Sequence, residues 1–286
     1  MEPVSRYAVS DAPRRVEPDG LYVPTIKPHS LDKIHLHNRY ARIMATAMRD
    51  RWERRAYVGL YSGAGYAKLD KTEEIYETSA LAVFRQPDLF TDYVFVDRNP
   101  LCTSALNSRI SRISPTANCS VLSGDVNASI DKVLAKLPMH SRTQKVLTFC
   151  FVDPFDLKLQ FETVRLLAER RVDFLILLAL GFDARRNIVR YYRDLDDRTI
   201  GDLIDDPQWR DAYKASGEKR IVHFMLRKFD EQMRSLGYLS AAGDEHPIKK
   251  GGVLLYHLVF YSRSELAKKF WRDTCLGITK QPSLFD

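Results

Sequence analysis

The chain has 286 residues, 45% of them hydrophobic and 28% charged, which is typical of a soluble globular protein with one large core. No apolar run approaches the length of a membrane span, and residues 1–16 lack the apolar core of a secretion signal, so we expect a cytoplasmic protein. The net charge of +7 favours polyanionic partners without requiring one. The four cysteines form no Cys-x-x-Cys pair, and we therefore expect no metal or cluster site on this chain.

The N-terminal part of the chain is expected to be an extended arm followed by a helix. Residues 1–30 are rich in proline and show little periodicity, which predicts an arm that is mobile or lies along the domain. From Leu31 to about Trp52 the apolar residues recur at helical spacing. The compact domain is therefore expected to begin at residue 31.

A glycine-rich turn follows the first strand of that domain. Residues 57–60 have the composition of a short buried strand, and it runs into Tyr61-Ser62-Gly63-Ala64-Gly65. Glycine leaves room for a ligand to approach the backbone. In open α/β sheets ligands bind at the carboxyl ends of the strands. A glycine turn of this kind also closes tight loops that bind nothing, so its meaning depends on the strands that follow.

Strands and helices then alternate as far as residue 180. A mixed-charge loop is predicted over 66–78, and a short helix begins at Ser79. The later strands are predicted at 93–97, 119–122, 145–152 and 173–180, each of the first three being followed by a helical pattern. This alternation predicts an α/β fold with a doubly wound, mostly parallel sheet.

The pattern changes after Gly181. Residues 183–215 are rich in arginine, tyrosine and acids, and we interpret them as an inserted helical cap over the sheet edge. A helix over 220–236 follows, and then two strands at 238–241 and 254–261 that are expected to form an antiparallel hairpin. The domain ends with a last helix at about residue 275, and 276–286 are predicted to be a flexible tail.

Polar groups follow the apolar strands at the edge where ligands bind. Asp97 closes the second strand, where an acid accepts hydrogen bonds from ribose hydroxyls, and Asp125-Val126 follow the third, where they would face an adenine ring. The alternative is that each acid caps the next helix. The set as a whole resembles the class I S-adenosylmethionine-dependent methyltransferases. The dehydrogenase fingerprint Gly-x-Gly-x-x-Gly is absent, because position 68 is lysine. The resemblance implies S-adenosylmethionine as cofactor, bound by Tyr61, Ser62, Gly63, Gly65, Asp97, Asp125, Val126 and Asp153.

Asp153-Pro154-Phe155 ends the strand over 145–152 and resembles the fourth motif of amino-group methyltransferases. That resemblance implies Asp153 and Phe155 as catalytic residues and Pro154 as a substrate contact, with the aromatic ring stacking on a flipped base. This chain has one proline where the motif has two, and its phenylalanine stands one place early. The alternative is a strand stopped by proline with a buried phenylalanine.

A closer resemblance covers nearly all of residues 31–275. Three blocks, 61–65, 79–81 with 93–100, and 151–155, are similar to those of the three-Cys-motif partner protein family, a bacterial group with a methyltransferase-like fold. The chain departs from the family pattern at Asp156, where glycine is usual, and at Tyr61, where phenylalanine is frequent. The cysteines that name the family belong to its partner, so the resemblance implies a separate cysteine-motif partner protein.

Two functions are consistent with these patterns. The first is a methyltransferase with nucleic acid as the favoured acceptor, working mainly by placing the methyl group beside a nucleophile, since no residue qualifies as a general base. Arg186 and Asn187 are then the predicted substrate contacts, although a salt-bridged surface helix explains them as well. The second is a methyltransferase-like binding module that serves the partner protein without turnover.

Overall fold

The computed structural model describes residues 11–85 and 89–279. The strands are β1 (Arg15–Val16), β2 (Thr25–Ile26), β3 (Arg54–Leu60), β4 (Tyr66–Leu69), β5 (Ile75–Glu77), β6 (Asp92–Asp97), β7 (Cys119–Ser123), β8 (Val146–Val152), β9 (Val172–Leu178), β10 (His246–Lys250) and β11 (Val253–Tyr261). The α-helices are α1 (Ser30–Met48), α2 (Ser79–Arg85), α3 (Pro100–Ile113), α4 (Ile130–Lys136), α5 (Phe161–Ala168), α6 (Arg185–Arg193), α7 (Thr199–Ile204), α8 (Trp209–Ser216), α9 (Ile221–Ser235) and α10 (Glu265–Thr279), with a π-helical turn at Leu180–Ala184.

A seven-stranded sheet forms the centre of the molecule, in the order β10-β11-β9-β8-β3-β6-β7. The five strands from β9 to β7 are parallel, and β11 runs antiparallel to both of its neighbours. The chain winds outward from β3 in both directions, which confirms the predicted doubly wound, mostly parallel α/β fold of the Rossmann-like, class I methyltransferase type. All residues of β9 are buried and nearly all of β8, because helices cover both faces. This explains their continuous apolar runs.

The late antiparallel hairpin is confirmed, but one of its strands was predicted in the wrong place. It pairs β10 with β11, and residues 238–241 belong to neither strand. Lys249 and Lys250, assigned to the loop, pair within the ladder, and the turn is made by Gly251 and Gly252 with φ of 53° and 77°. Tyr238 is buried without being part of a strand. Its ring packs 5.6 Å from that of Phe174, and its hydroxyl donates to the Val172 carbonyl at 2.9 Å.

A second, four-stranded sheet in the order β1-β5-β4-β2 was not predicted. Residues 66–78, expected to be a loop, form the β4–β5 hairpin, and two short strands of the N-terminal arm pair with its edges. Asp19 of the arm also binds Arg109 of α3 through both carboxylate oxygens at 2.7 and 2.8 Å. Strands of two to four residues show too little alternation to be recognised, because their pairing partners lie far away along the chain.

Two helix ends differ from the prediction. Helix α1 ends at Met48 rather than near Trp52, because Arg55 extends β3 and donates its buried guanidinium to the carbonyls of Leu89 and Trp52. Helix α10 continues to Thr279, so residues 276–279 of the predicted tail are helical, while 280–286 lie outside the described residues.

The stretch 183–215, whose backbone is described throughout, contains α6, α7 and most of α8 and contributes no strand to the sheet. Helices α7 and α8 pack against α9, and α7 also contacts α5. In the described parts of the chain no helix is both long enough and apolar enough to cross a membrane.

Candidate active site

A cavity of about 150 Å³ lies at the carboxyl ends of β3 and β8. The chain turns in opposite directions on either side of this point, which is where open α/β sheets bind ligands. The walls come from β3 and its turn, the end of β8, the start of α1, the arm and the β4–β5 hairpin. The unpredicted second sheet therefore closes one side of the predicted ligand edge.

The two glycines of the turn are required for different reasons. Gly63 and Gly65 both have positive φ, of 63° and 83°. A Cβ on Gly63 would meet no heavy atom within 4 Å, so this residue faces open space. A Cβ on Gly65 would lie 2.7 Å from Leu81 and 3.0 Å from Leu106. The sequence interpretation gave both glycines to ligand approach, whereas the structure shows that Gly65 lets α2 and α3 pack closely.

Asp97 ties the glycine turn to the end of β6. Its Oδ2 accepts a hydrogen bond from the Gly63 amide at 2.8 Å, and its Oδ1 accepts one from the Asn99 amide at 2.9 Å. Ser62 supports the same turn by donating its hydroxyl to the Gly59 carbonyl at 2.6 Å and accepting from the Val96 amide at 3.1 Å. These bonds hold the turn in one conformation. Each carboxylate oxygen of Asp97 retains a further lone pair for a ligand hydroxyl.

Two buried hydroxyl groups in the cavity wall have no hydrogen-bond partner among the described residues. They are Tyr61 Oη and Thr78 Oγ1. Tyr61 also has a positive φ of 62°, which is uncommon outside glycine and is found at ligand sites. Burial, reinforced by the nearby charges of Asp125 and Asp156, raises the pKa of Tyr61, which keeps its phenol protonated. An unsatisfied buried hydroxyl costs about 1–3 kcal/mol, so a ligand that pairs with these groups recovers that free energy. The sequence interpretation missed Thr78, which lay in the supposed loop.

Asp153 binds Lys33, a residue that the sequence interpretation did not single out. Both carboxylate oxygens accept from Lys33 Nζ, at 2.6 and 2.7 Å, and both side chains are only about one-fifth exposed. The two residues are 120 positions apart, and nothing near Lys33 in the sequence marks it as a site residue. Asp153 was predicted to hold both cofactor and substrate, and here its carboxylate already has a cationic partner inside the chain.

Asp125 and Val126 lie outside the wall of this cavity. Asp125 is exposed, and its Oδ1 accepts from the amides of Asn127 and Ala128 at 2.9 and 3.1 Å. This is the helix-entry role that was the alternative for this acid. Val126 is only 1% exposed and belongs to the main core.

The predicted acceptor residues face in different directions. Pro154 is buried, whereas Phe155 is 76% exposed, which contradicts the alternative of a buried phenylalanine. Arg186 is exposed. Asn187 points inward and donates its amide to Asp183 Oδ1 at 2.6 Å.

Asp183 is a further residue that the sequence interpretation missed. Besides Asn187, it accepts from Tyr191 Oη at 2.8 Å and from the Leu157 amide at 3.2 Å. It thereby links α6 to the loop after β8.

The phenol of Tyr256 is influenced by charges of both predicted acceptor regions. Burial raises the pKa of its phenol most strongly, Asp153 adds to the rise and Arg186 opposes it, so both charges are close to the ring. Its ring also packs 5.7 Å from that of His29, at the start of α1. Asp153 and Arg186 therefore share one neighbourhood although they follow different strands.

A buried histidine lies below the cavity. His37 is fully buried, with its ring nitrogens 3.0 Å from Asn38 Oδ1 and 2.9 Å from Tyr57 Oη. Its ring packs 4.5 Å from that of Phe151. Burial lowers the pKa of His37 to about 4, so it is neutral at physiological pH and acts as part of the core.

Comparison with known proteins shows a likeness to solved methyltransferase structures. No family model matches the chain, and no curated protein matches it. An O-methyltransferase from Bacillus cereus in complex with SAH is 8% identical, with 78% of this chain and 80% of that chain covered and a TM-score of 0.44. The O-methyltransferase TomG from Streptomyces achromogenes, with SAM, is 12% identical over 78% and 79% of the chains, with a TM-score of 0.42. Magnesium protoporphyrin IX methyltransferase from Synechocystis PCC 6803, with SAH, is 9% identical over 82% and 86%, with a TM-score of 0.42.

Proposed function

We propose that the protein is an S-adenosylmethionine-dependent methyltransferase. The observation that carries the proposal is the hydrogen bond from the Gly63 amide to Asp97 at the end of β6, because Gly63 lines the same cavity as the unpaired hydroxyls of Tyr61 and Thr78. The bond holds an acid next to an open glycine turn, which is the arrangement that a ribose and a charged amino-acid chain need. When bound, the cofactor supplies an electrophilic methyl group.

The residues present fit such a cofactor. Asp97 has free lone pairs for ribose hydroxyls, Gly63 leaves open space, and Tyr61 and Thr78 offer unpaired hydroxyls. The cavity of about 150 Å³ is smaller than the roughly 300–1,000 Å³ typical of cofactor pockets, so it would enclose only part of the molecule. Asp153 and Lys33 line the same wall, where they would orient polar groups of cofactor or acceptor.

Calorimetry with S-adenosylmethionine tests the proposal. We expect binding to the wild type, and a loss of about 1–3 kcal/mol for Asp97→Ala, because a hydrogen bond to a charged acceptor is removed. Asp131→Ala, at an exposed position of α4, is the matched control and should bind as the wild type does. Folded wild-type protein that gives neither heat nor a thermal shift would refute the proposal. Binding without transfer to any acceptor would favour the non-catalytic module.

Nucleic acid is the acceptor that we propose. The support is the exposed ring of Phe155, two residues after Asp153, the exposed Arg186 near the same edge, and the net charge of +7. An aromatic ring beside a cation is the arrangement on which single-stranded bases stack. Arg186→Ala should lower the slope of log affinity against log salt by about one, whereas Arg142→Ala, before β8, should leave it unchanged. Equal slopes for both variants would remove Arg186 from the acceptor site.

A cysteine-motif partner protein is proposed from the family resemblance alone. Co-expression with the protein encoded beside this chain, followed by co-purification, tests the pairing. The same sample used in the transfer assay separates an enzyme that needs its partner from a module that does not turn over. Failure to co-purify would leave the cofactor proposal standing and remove the partner from it.

A further inference from the structure

A larger cavity of about 590 Å³ lies away from the candidate active site, and we call it the α9 groove. It opens between the start of α9, the helices α6 and α8, and the β10–β11 turn. Its wall consists of Gly181, Ile188, Tyr213, Lys219, Arg220, Ile221, Val222, His223, Gly252, Val253 and Leu254. Nothing in the proposed transfer of a methyl group uses these residues.

The charge of the groove is one-sided. Lys219 and Arg220 are exposed and form no ion pair with any residue that the structure describes, and the described wall contains no acid. The nearest acid in the sequence, Glu218, is bound by Arg227 at 2.6 Å. Helix α9 also begins here without a side-chain cap, so the positive end of its dipole adds to the two cations.

The remaining wall is mostly aliphatic, with Ile188, Ile221, Val222, Val253 and Leu254, and it also includes the rings of Tyr213 and His223. Ile221 and Val222 are buried under the rim, and Val253 is 52% exposed at the start of β11. Gly181 lets the chain approach the hairpin closely, since a Cβ there would lie 2.3 Å from the Leu254 carbonyl oxygen. The backbone at Gly181 and Leu254 therefore forms the bottom of the groove, and the exposed side chain of Val253 lies at its edge.

We propose that the α9 groove docks a segment of another protein in which apolar side chains are flanked by aspartate or glutamate. The five aliphatic side chains suit leucine, isoleucine or phenylalanine, and the Tyr213 ring in the wall already packs 5.1 Å from the ring of Phe224. The unpaired cations need a negative partner, which the acids of the segment supply. A second copy of this chain has a net charge of +7 and would be repelled by the cations of the groove.

The experiment measures binding of the full chain to a fluorescein-labelled array of hexapeptides. Each peptide carries two apolar residues in the centre and four flanking residues that are acidic, serine or lysine. We expect binding only of the acidic set, weakened about tenfold by Lys219→Glu and by Val253→Asp. Both positions are exposed, so both variants are expected to fold. Lys132→Glu, on α4 outside the groove, carries the same charge change and should bind as the wild type does.

Three outcomes would overturn the proposal. One is the absence of binding to every acidic peptide at 1 mM concentration, and another is equal binding by the wild type and the two groove variants. The third is displacement of the peptides by single-stranded DNA, if the affinity for DNA falls in Lys219→Glu but not in Val253→Asp. That result would make the groove a nucleic-acid surface. None of these readouts depends on S-adenosylmethionine, so they are independent of the proposed transferase activity.

Discussion

The two halves of the ligand edge are built differently. On the β3–β6 side, backbone and side chain cooperate, because the Gly63 amide and the Asn99 amide both donate to Asp97. On the β8–β9 side, the polar residues are occupied by one another: Asp153 binds Lys33, and Asn187 binds Asp183. Phe155, just after the end of β8, has 76% of its surface exposed.

The difference indicates which half is ready for a ligand. The β3–β6 half needs no rearrangement to offer Asp97 and the open face of Gly63. The β8–β9 half can hold an acceptor only if the acceptor exchanges with an internal partner or uses exposed residues such as Phe155 and Arg186. A cofactor-like molecule therefore meets a preformed surface, and an acceptor meets one that must be completed.

The largest effect should come from the glycine turn. We expect Gly65→Ala to destabilise the fold by about 3 kcal/mol, because the new Cβ clashes with Leu81 and the positive φ is strained as well. Gly63→Ala has the strain without the clash and should cost about 1–2 kcal/mol. Urea denaturation of both variants gives the two values.

Cofactor binding should show the opposite order. Under conditions where both variants are folded, Gly63→Ala should weaken binding of S-adenosylmethionine more than Gly65→Ala does, because only the Gly63 position faces open space. Equal losses of stability for the two variants would contradict the assignment of Gly65 to helix packing.

The next effect concerns His37, the buried histidine below the cavity. The pKa of His37 falls from 6.5 to about 4 on burial, so between these values the unfolded chain binds a proton that the folded chain refuses. Stability should therefore fall as pH falls from 6.5 to 4, by about 3 kcal/mol in total. The measurement is the difference between the wild type and His37→Gln in urea denaturation at several pH values.

Asp173 provides a comparison of opposite sign. Burial raises its pKa from 3.8 to about 6, so the folded chain binds the extra proton and stability should rise as pH falls through this window. The difference in the free energy of unfolding between the wild type and Asp173→Asn should rise as pH falls. The corresponding difference between the wild type and His37→Gln should decrease. Parallel slopes would contradict the buried, neutral state of His37.

A smaller effect is expected for the ion pair on the β8 side. A double-mutant cycle of Lys33→Met and Asp153→Asn should give a coupling energy of about 1–2 kcal/mol, between the values typical of exposed and of buried pairs. The cycle Lys27→Met with Asp70→Asn is the matched control, since Lys27 is 60% exposed and its coupling should be smaller than that of Lys33 with Asp153. Equal couplings would mean that Asp153 is free to meet an acceptor without cost.

The smallest effect on stability is expected at Phe155. Because the ring is 76% exposed, Phe155→Ala should change the free energy of unfolding by less than about 0.5 kcal/mol. Methyl transfer to the acceptor should nevertheless fall while cofactor affinity is unchanged. Leu195→Ala, at 78% exposure elsewhere on the surface, controls for loss of an exposed apolar side chain. Unchanged transfer by Phe155→Ala would remove this ring from the acceptor side.

Local pattern was sufficient where a residue's neighbours are close in the sequence. The apolar runs over 145–152 and 173–180 predicted strands, and β8 and β9 are found there, parallel and buried because both of their faces are covered. Asn99 and Pro100 begin α3 by local chemistry, since Asn99 Oδ1 accepts from the Leu101 amide at 3.0 Å. Asp97 was correctly predicted at the end of a strand, because the apolar residues that mark the strand come directly before it in the sequence.

Contacts between distant segments were beyond the sequence pattern. The second sheet pairs β1 with β5 and β2 with β4 through strands too short to show a period, so the loop prediction for 66–78 was wrong. The pairing of Lys33 with Asp153 joins residues 120 positions apart. Glycine is required at position 65 because Leu81 and Leu106 pack against it, and a turn motif does not predict that contact.

The sequence by itself therefore determined the alternation of strands and helices, the parallel sheet and the order of polar groups along its ligand edge, because strand period and strand-end chemistry are local properties. Only the tertiary structure decided which partner each of those groups binds. Asp97 accepts from two backbone amides, whereas Asp153 and Asn187 pair with the side chains of Lys33 and Asp183. The physical reason is that a side chain's hydrogen-bonding capacity is used by whatever packs beside it, and in this fold those neighbours come from remote parts of the chain.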